Sequence, residues 1–173
     1  ILPLCIKWQT FPILNKAKEG DSMPISQNIE ANISVFQKRL DCEHNFDIVY
    51  RTLSIGGKQT CMFFIDGFIK DDIITKILEY FYTLKDPSLL TNAHTFSHHC
   101  VPYCEVSLND DVETLLTNIL SGVLVLFVEG FTTAIEIDAR TYPQRATSEP
   151  DKDKTFRGSR DGFVETLVLN TAL

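Results

Sequence analysis

The stretch FDIVYRTLSIGGKQTCMFFIDGF at residues 46–68 indicates a β-hairpin that ends on a carboxylate. It is rich in β-branched and aromatic residues, and the central pair Gly56-Gly57 is typical of a two-residue hairpin turn. Its last six residues, FFIDGF, are matched 63 residues later by LFVEGF at 126–131. Each copy places an acid, Asp66 or Glu129, after an apolar strand. The two acids are therefore either a catalytic pair or turn-forming groups in two similar units.

The local settings of the two acids favour turns. A catalytic carboxylate pair needs two different environments, one that keeps an acid protonated and one that keeps the other ionised. Asp66 and Glu129 instead share one context, because each precedes a glycine that can adopt a positive φ while the carboxylate accepts backbone N–H bonds. The residues predicted to form structural turns are Gly56, Gly57, Asp66, Gly67, Glu129 and Gly130.

Helices are predicted on both sides of the hairpin. Before it, apolar residues recur at helical spacing from Ile29 to Leu40, with Ser26 as the N-cap. After it, DDIITKILEYFYTL at 71–84 begins with acids that suit a helix N-terminus and carries an apolar face. A first α/β subdomain is therefore expected at 26–104, closed by a His- and Cys-bearing loop or linker at 85–103. Residues 1–25 contain three prolines and predict a leader or flexible arm.

A second subdomain is predicted at 105–173. It begins with a short strand, CEVSL, and continues with a helix that starts at Asp110 or Asp111 and stops at Gly122. The apolar residues predicted to face inward on this helix are Val112, Leu115, Leu116, Ile119 and Leu120. VLVLFVEG and TTAIEIDA form a hairpin around Glu129, and a last helix opens after residue 162 and is cut at the end of the sequence. The expected fold class is α+β (mixed α/β), with two small subdomains, each a mixed or antiparallel sheet with packed helices.

Composition excludes some classes of partner. The net charge is −7 and the pI is about 5.0, without a basic stripe, so nucleic acid is not expected to bind. No stretch of the sequence has the run of about 18 to 20 apolar residues that spans a bilayer. The five cysteines are an odd number at irregular spacings, which indicates reduced thiols in a cytosolic setting.

The run HTFSHHCVPYC at 94–104 offers nitrogen and sulfur ligands that zinc accepts. It lacks the paired C-x2-C spacing and has no second half to complete the coordination. We therefore expect no metal and no other cofactor, with His94, His98, Cys100 and Cys104 as the candidates if one binds. A Cys–His nucleophile pair would need a spatial arrangement that adjacency in sequence does not provide.

SIGGKQT at 54–60 superficially matches a phosphate-binding loop. That motif requires Gly at position 52 and Ser or Thr at position 59, followed by a helix. The chain has Thr52 and Gln59, followed by a predicted strand. We interpret the segment as a hairpin turn.

Arg157 and Arg160 flank a glycine just before the predicted last helix. Two guanidinium groups and the backbone N–H groups of a helix N-terminus could hold an anion there. Alternatively, Asp161 caps the helix and the arginines pair with nearby acids such as Glu165.

The same segment carries a family resemblance. RGSRDGFVETLVLNTAL at 157–173 resembles the R-G-x-R-[ED]-G-F-x-E-x-L-x-x-N-x-x-L signature of the A subunit of spore germinant receptors, the GerA family. Only Ser159 and Val168 depart from the residues that are usual there. The hairpin blocks at 47–74 and 120–141 resemble the family in the same order, so the resemblance covers residues 26–173.

The resemblance implies the soluble N-terminal domain of a longer protein that continues into membrane-spanning helices. Such A subunits assemble with other A subunits, a transporter-like B subunit and a lipoprotein C subunit in the spore inner membrane, where they respond to nutrients. This domain would lie on the cytosolic, spore-core side and serve assembly and signal coupling, without catalysis. Ligand or partner contacts would fall on Arg157, Arg160, Glu165 and Asn170. The alternative is a module that binds a small nutrient molecule between the two subdomains.

Overall fold

The hairpin predicted at 46–68 is confirmed by the computed structural model, which describes residues 23–141. Strand β1 (Ile48–Ile55) pairs antiparallel with β2 (Lys58–Ile65), so that Ile55 lies opposite Lys58. The turn residues Gly56 and Gly57 have φ of 54° and 84°. A two-residue turn of this kind needs a positive φ at both positions, which only glycine adopts at little cost.

Four α-helices, one short 3-10 helix and three further strands complete the described part. The helices are α1 (Ile29–Leu40), α2 (Asp71–Thr83), α3 (Ala93–Cys100) and α4 (Val112–Leu120), with the 3-10 helix at Pro87–Leu90. The strands are β3 (Val106–Asn109), β4 (Leu124–Val128) and β5 (Ala134–Ile137). No helix between residues 23 and 141 combines the length and the hydropathy of a membrane span.

All five strands form one antiparallel sheet in the order β1-β2-β4-β5-β3. This confirms the α+β class and corrects the expectation of a separate sheet on each side of residue 104. The two halves are joined where Thr60 of β2 pairs with Val128 of β4. β4 is buried along its whole length, so it needs a strand on each side and helices on both faces of the sheet. Residues 23–140 fall within one compact unit of the chain.

Helices cover both faces of the sheet. On one face, α1 buries Ile29, Ile33, Phe36 and Leu40, as predicted, and packs beside α4. Phe36 lies 4.7 Å from Phe127 between ring centroids. On the other face, α2 and α3 pack against the alternate side chains of the same strands. The period of two in the strands therefore supplies two apolar clusters, one on each face.

The start of α1 differs from the prediction. Asn28, not Ser26, is the N-cap, because its Oδ1 accepts the N–H of Ala31 at 3.1 Å. The Ser26 hydroxyl instead accepts the N–H of Asn28 at 3.1 Å. The last residues of the predicted leader are also held in place, since the N–H of Ile25 donates to the carbonyl of Asp110 at 2.8 Å. Residues 1–22 lie outside the described part.

The segment predicted as a loop at 85–103 is largely helical, so that prediction is wrong. Asp86 caps the 3-10 helix and Asn92 caps α3, each by accepting a backbone N–H. Phe96 and Cys100 are completely buried and lie on one face of α3, as their four-residue spacing requires. Eight residues are too few to show a clear helical period in the sequence, and packing against the sheet stabilises the helix.

The end of α4 is confirmed at Gly122, but the predicted inward position of Leu120 is wrong. Leu120, the last residue of the helix, is 52% exposed. Gly122 has a φ of 96°, and a Cβ there would lie 2.9 Å from Cγ of Phe68. Both the backbone conformation and the aromatic ring therefore require glycine at this position.

Candidate functional site

Asp66 and Glu129 lie at opposite ends of the sheet. Asp66 follows the last residue of β2, whereas the N–H of Glu129 donates to the carbonyl of Gln59, near the first residue of β2. Seven residues of extended strand separate these two positions, which amounts to about 23 Å. Catalytic carboxylate pairs work across a gap of roughly 5 to 10 Å. The two acids therefore do not form a catalytic pair with each other.

The two acids also differ in their surroundings, although both lie in turns followed by a glycine of positive φ, as the sequence suggests. Asp66 is exposed, and its backbone N–H donates to the carbonyl of Asp47 at 2.8 Å at the end of the sheet. Oε2 of Glu129 accepts the N–H of Ile29 at 2.8 Å. The carboxylate of Glu129 thus satisfies one of the free N–H groups in the first turn of α1, where negative charge is stabilised by the helix dipole.

Several further contacts hold this region, which we call the Glu129 junction and define by Gln27, Ile29, Gln59, Glu129 and Gly130. The N–H of Gly130 donates to the carbonyl of Gln27 at 2.9 Å. The N–H of Glu129 donates to the carbonyl of Gln59, also at 2.9 Å. The junction therefore connects the N-terminus of α1, the β1–β2 turn and the β4–β5 turn. These hydrogen bonds hold the three elements at fixed relative positions.

A buried carboxylate that the sequence interpretation missed lies on β5. Glu136 is only 7% exposed. Its Oε1 accepts from Nδ2 of Asn118 at 2.7 Å, and its Oε2 accepts from the hydroxyl of Ser107 at 2.9 Å. Asn109 donates to Oε1 over a longer distance, 3.4 Å. These donors are neutral, so hydrogen bonds from β3 and α4 stabilise the buried acid.

The sequence of β5 indicates that Glu136 is buried. AIEI places an acid inside a short apolar strand, where burial is expected on both faces of a central strand. The donors could not be identified in this way, because Asn118 belongs to α4 and Ser107 to β3. Their approach to Glu136 depends on the order of strands in the sheet.

The helical conformation of α3 places the histidines and Cys100 of the His- and Cys-bearing run on different sides of the helix. His94, His98 and His99 are exposed on α3, whereas Cys100 is completely buried and faces the core. Cys104 is exposed after the helix. Between residues 23 and 141, no group of three or more His, Cys, Asp or Glu side chains is arranged to hold a metal ion.

The four cysteines among the described residues are free thiols, as the sequence suggests. Burial raises the pKa of Cys61 to about 12 and also raises the pKa of Cys100. A thiol with a raised pKa stays protonated near neutral pH and is a poor nucleophile. Neither buried cysteine is therefore suited to covalent catalysis.

A groove of about 590 Å³ lies between the C-terminal half of α1 and the edge strand β1. Lys38 carries a positive charge on its wall, and Asp41 and Glu43 carry negative charges. The remaining lining residues are Ser34, Gln37, Cys42 and Tyr50. Because this groove lies beside α1, it is distinct from the expected cleft between two subdomains. No such cleft separates the two halves within residues 23–141, because β2 and β4 are hydrogen-bonded neighbours.

The contact residues predicted from the sequence, Arg157, Arg160, Glu165 and Asn170, lie outside the described residues, as does the predicted last helix.

Asp138 and Arg140 lie near the end of the described part. Arg140 donates to Asp138 from Nε at 2.7 Å and from Nη2 at 2.5 Å, and this hydrogen bonding lowers the pKa of the Asp138 carboxyl. Nη1 of Arg140 also donates to the hydroxyl of Ser121 at 3.3 Å.

Comparison with solved structures identifies a similar fold. The crystal structure of the N-terminal domain of the A subunit of the Bacillus megaterium spore germinant receptor GerK3 superposes with a TM-score of 0.51 at 16% sequence identity. The superposition covers 71% of this chain and 50% of that one. At this level of identity, the similarity shows the fold alone.

Comparison of sequences finds relatives among proteins of Bacillus subtilis. Stage V sporulation protein AF of Bacillus subtilis (strain 168) is 29% identical over 157 residues, which are 88% of this chain and 31% of that protein. The same organism's uncharacterized membrane protein YfkQ is 25% identical over 162 residues, which are 93% of this chain and 31% of that protein. The chain thus spans about a third of the length of these relatives.

The family model described as Bacillus/Clostridium GerA spore germination protein matches residues 35–173. This range includes both predicted hairpins and the C-terminal signature at 157–173. It confirms the resemblance that these segments carry. Since the match extends over far more than half of the 173 residues, this chain belongs to the GerA family of spore germination proteins.

Proposed function

We propose that this chain is the N-terminal domain of the A subunit of a spore nutrient germinant receptor, where it serves receptor assembly and signal coupling during germination. Family membership over residues 35–173 supports the role in germination. The fold it shares with the N-terminal domain of the GerK3 A subunit supports its position within a longer subunit.

The distance between Asp66 and Glu129 is the observation that favours a coupling role over a catalytic role for this domain. The two acids that the sequence singled out lie about 23 Å apart along β2. The carboxylate of Glu129 holds the N-terminus of α1. A group used in this way fixes the relative positions of a helix and two turns, which is the property that a coupling domain needs.

The proposed partners are the B and C subunits and other A subunits, and the proposed location of the full-length protein is the spore inner membrane. This domain would be the soluble part on the cytosolic, spore-core side. One relative is named as a membrane protein, and this chain covers only 31% of its length, which supports a membrane part outside the matched region. The net charge of −7 supports protein partners over nucleic acid.

Assembly can be tested in spores that carry the full-length receptor with a tagged A subunit. We expect that replacing Arg157 and Arg160 together by alanine lowers the amounts of B and C subunit that co-purify and slows germination. The level of A subunit should stay unchanged. The matched control replaces Lys152 and Lys154 by alanine, which removes the same positive charge nearby. Equal assembly and germination in both double variants would contradict the contact role of the arginines.

Nutrient binding by the domain itself is the competing hypothesis. Isothermal titration of this chain with a panel of amino acids and sugars separates the two functions. We expect no stoichiometric binding in the submillimolar range. A nutrient that binds one per chain in that range would replace the coupling role by a sensing role.

A further inference from the structure

We propose that His94 and His98 on α3 form a two-nitrogen site for a late first-row divalent cation such as Ni²⁺, Cu²⁺ or Zn²⁺. The two residues are one helical turn apart, and their ring centroids lie 4.5 Å from each other. Both side chains are exposed, so a hydrated cation can reach them. Residues four apart on a helix are surface neighbours, which gives both imidazoles access to the same ion.

The backbone spacing of the two histidines is held by the opposite face of the helix. Phe96 and Cys100 are completely buried against the sheet, and Oδ1 of Asn92 accepts the N–H of Thr95 at 2.8 Å at the helix start. Zinc binds histidine nitrogens at about 2.0 to 2.1 Å, so two nitrogens that share one ion lie roughly 3 Å apart. Ring centroids 4.5 Å apart leave the two imidazoles close enough for side-chain rotation to bring one nitrogen of each ring to that spacing.

The donor set determines the kind of ion and the strength of binding. Imidazole suits zinc, copper and nickel, whereas calcium and magnesium prefer oxygen ligands. No third protein ligand completes the site within residues 23–141, so water fills the other positions and the ion stays exchangeable. The spacing is that of the metalloprotease motif H-E-x-x-H, but Thr95 occupies the position of the catalytic Glu. We therefore assign binding to this site, and no hydrolysis.

His99 provides an internal control on the same helix. It is also exposed, but it is adjacent to His98 in the sequence and therefore projects in another direction. Its replacement by alanine removes one imidazole from the surface and leaves the proposed pair intact. Cys104 is the exposed thiol nearest in sequence and provides the second control.

The test uses the untagged chain, titrated with NiCl₂ and followed by calorimetry and by the shift in melting temperature. We expect one Ni²⁺ per chain, a rise in melting temperature with added Ni²⁺, and loss of both effects in His94→Ala and in His98→Ala. His99→Ala and Cys104→Ser should bind like the original chain.

Two results would overturn the proposal. One is the absence of saturable binding at millimolar Ni²⁺, which would show that the pair does not chelate. The other is loss of binding in His99→Ala or Cys104→Ser equal to that in His98→Ala, which would place the ion on a different set of ligands. Each variant changes an exposed side chain, so its circular dichroism spectrum should match that of the original chain.

Discussion

Glu129, the residue that follows β4, accepts a hydrogen bond from the backbone N–H of Ile29, the first residue of α1, across 2.8 Å. Asn28, the residue just before the same helix, caps it by accepting the N–H of Ala31. The first turn of α1 is therefore stabilised both locally and by a residue 100 positions away.

Glu129→Ala should lower the free energy of unfolding by about 1 kcal/mol, since it leaves an N-terminal N–H of α1 without its acceptor. Glu129→Gln should cost less, because the amide oxygen can still accept the bond while the favourable charge at the helix N-terminus is lost. Asp66→Ala is the control at an exposed turn and should change stability little. Urea unfolding measures all three, and equal costs for Glu129→Ala and Asp66→Ala would contradict the helix contact.

Gly122→Ala should destabilise the fold more than Gly67→Ala. Both glycines have positive φ, 96° and 84°, so both variants suffer backbone strain of about 1 kcal/mol or more. A Cβ at position 67 meets no heavy atom within 4 Å, whereas one at position 122 lies 3.0 Å from Cβ of Phe68. Thermal melts should therefore rank the two variants clearly, and equal melting temperatures would argue against the contact with Phe68.

Asn118→Asp should destabilise the fold strongly at pH 7 and less at pH 4. Nδ2 of Asn118 lies 2.7 Å from Oε1 of the buried Glu136, so the variant places two carboxylates side by side. Two such groups cannot both be ionised at low cost, and protonation of one at lower pH relieves the repulsion. The control Asn118→Ser removes the amide and adds no charge. A cost for Asn118→Asp that does not change with pH would contradict this interpretation of the Glu136 site.

Asp138→Asn should lower stability at neutral pH and have a smaller effect in acid. Hydrogen bonding to Arg140 lowers the pKa of the Asp138 carboxyl. A carboxyl with a lowered pKa in the folded state contributes stability above its unfolded pKa of about 3.9, and this contribution is lost as the pH falls through the lower folded value. Urea unfolding of the variant and the original chain at pH 7 and pH 3 measures the difference. If the variant and the original chain differ in stability by the same amount at pH 7 and at pH 3, the ion pair is not the source of the difference.

Protein purified without chelator should contain far less than one zinc per chain. Cys100 is buried and faces away from the exposed histidines of α3, so the run at 94–104 does not form a complete coordination shell. A two-histidine site exchanges its ion and loses it during gel filtration. Elemental analysis that finds about one zinc per chain after this step would show that further ligands complete the site.

Local sequence determined those features that depend on neighbouring residues. Gly56-Gly57 predicts its turn because a positive φ is a property of the residue itself. The apolar faces of α1 and α4 are readable because periods of three and four residues place side chains on one side. The C-terminal signature identified the family directly from residues 157–173, which lie outside the described part.

Tertiary structure decided which elements meet. The pairing of β2 with β4 merges two predicted sheets into one, because a strand buried on both faces takes whichever partners complete its hydrogen bonds. The short helix α3 forms where packing stabilises a segment whose period is too brief to recognise. FFIDGF and LFVEGF look alike locally, yet Glu129 meets the start of a distant helix and Asp66 lies exposed at the other end of the sheet. The reason is physical: a carboxylate stabilises whatever donor the fold brings within about 3 Å, and spacing along the chain does not determine that donor.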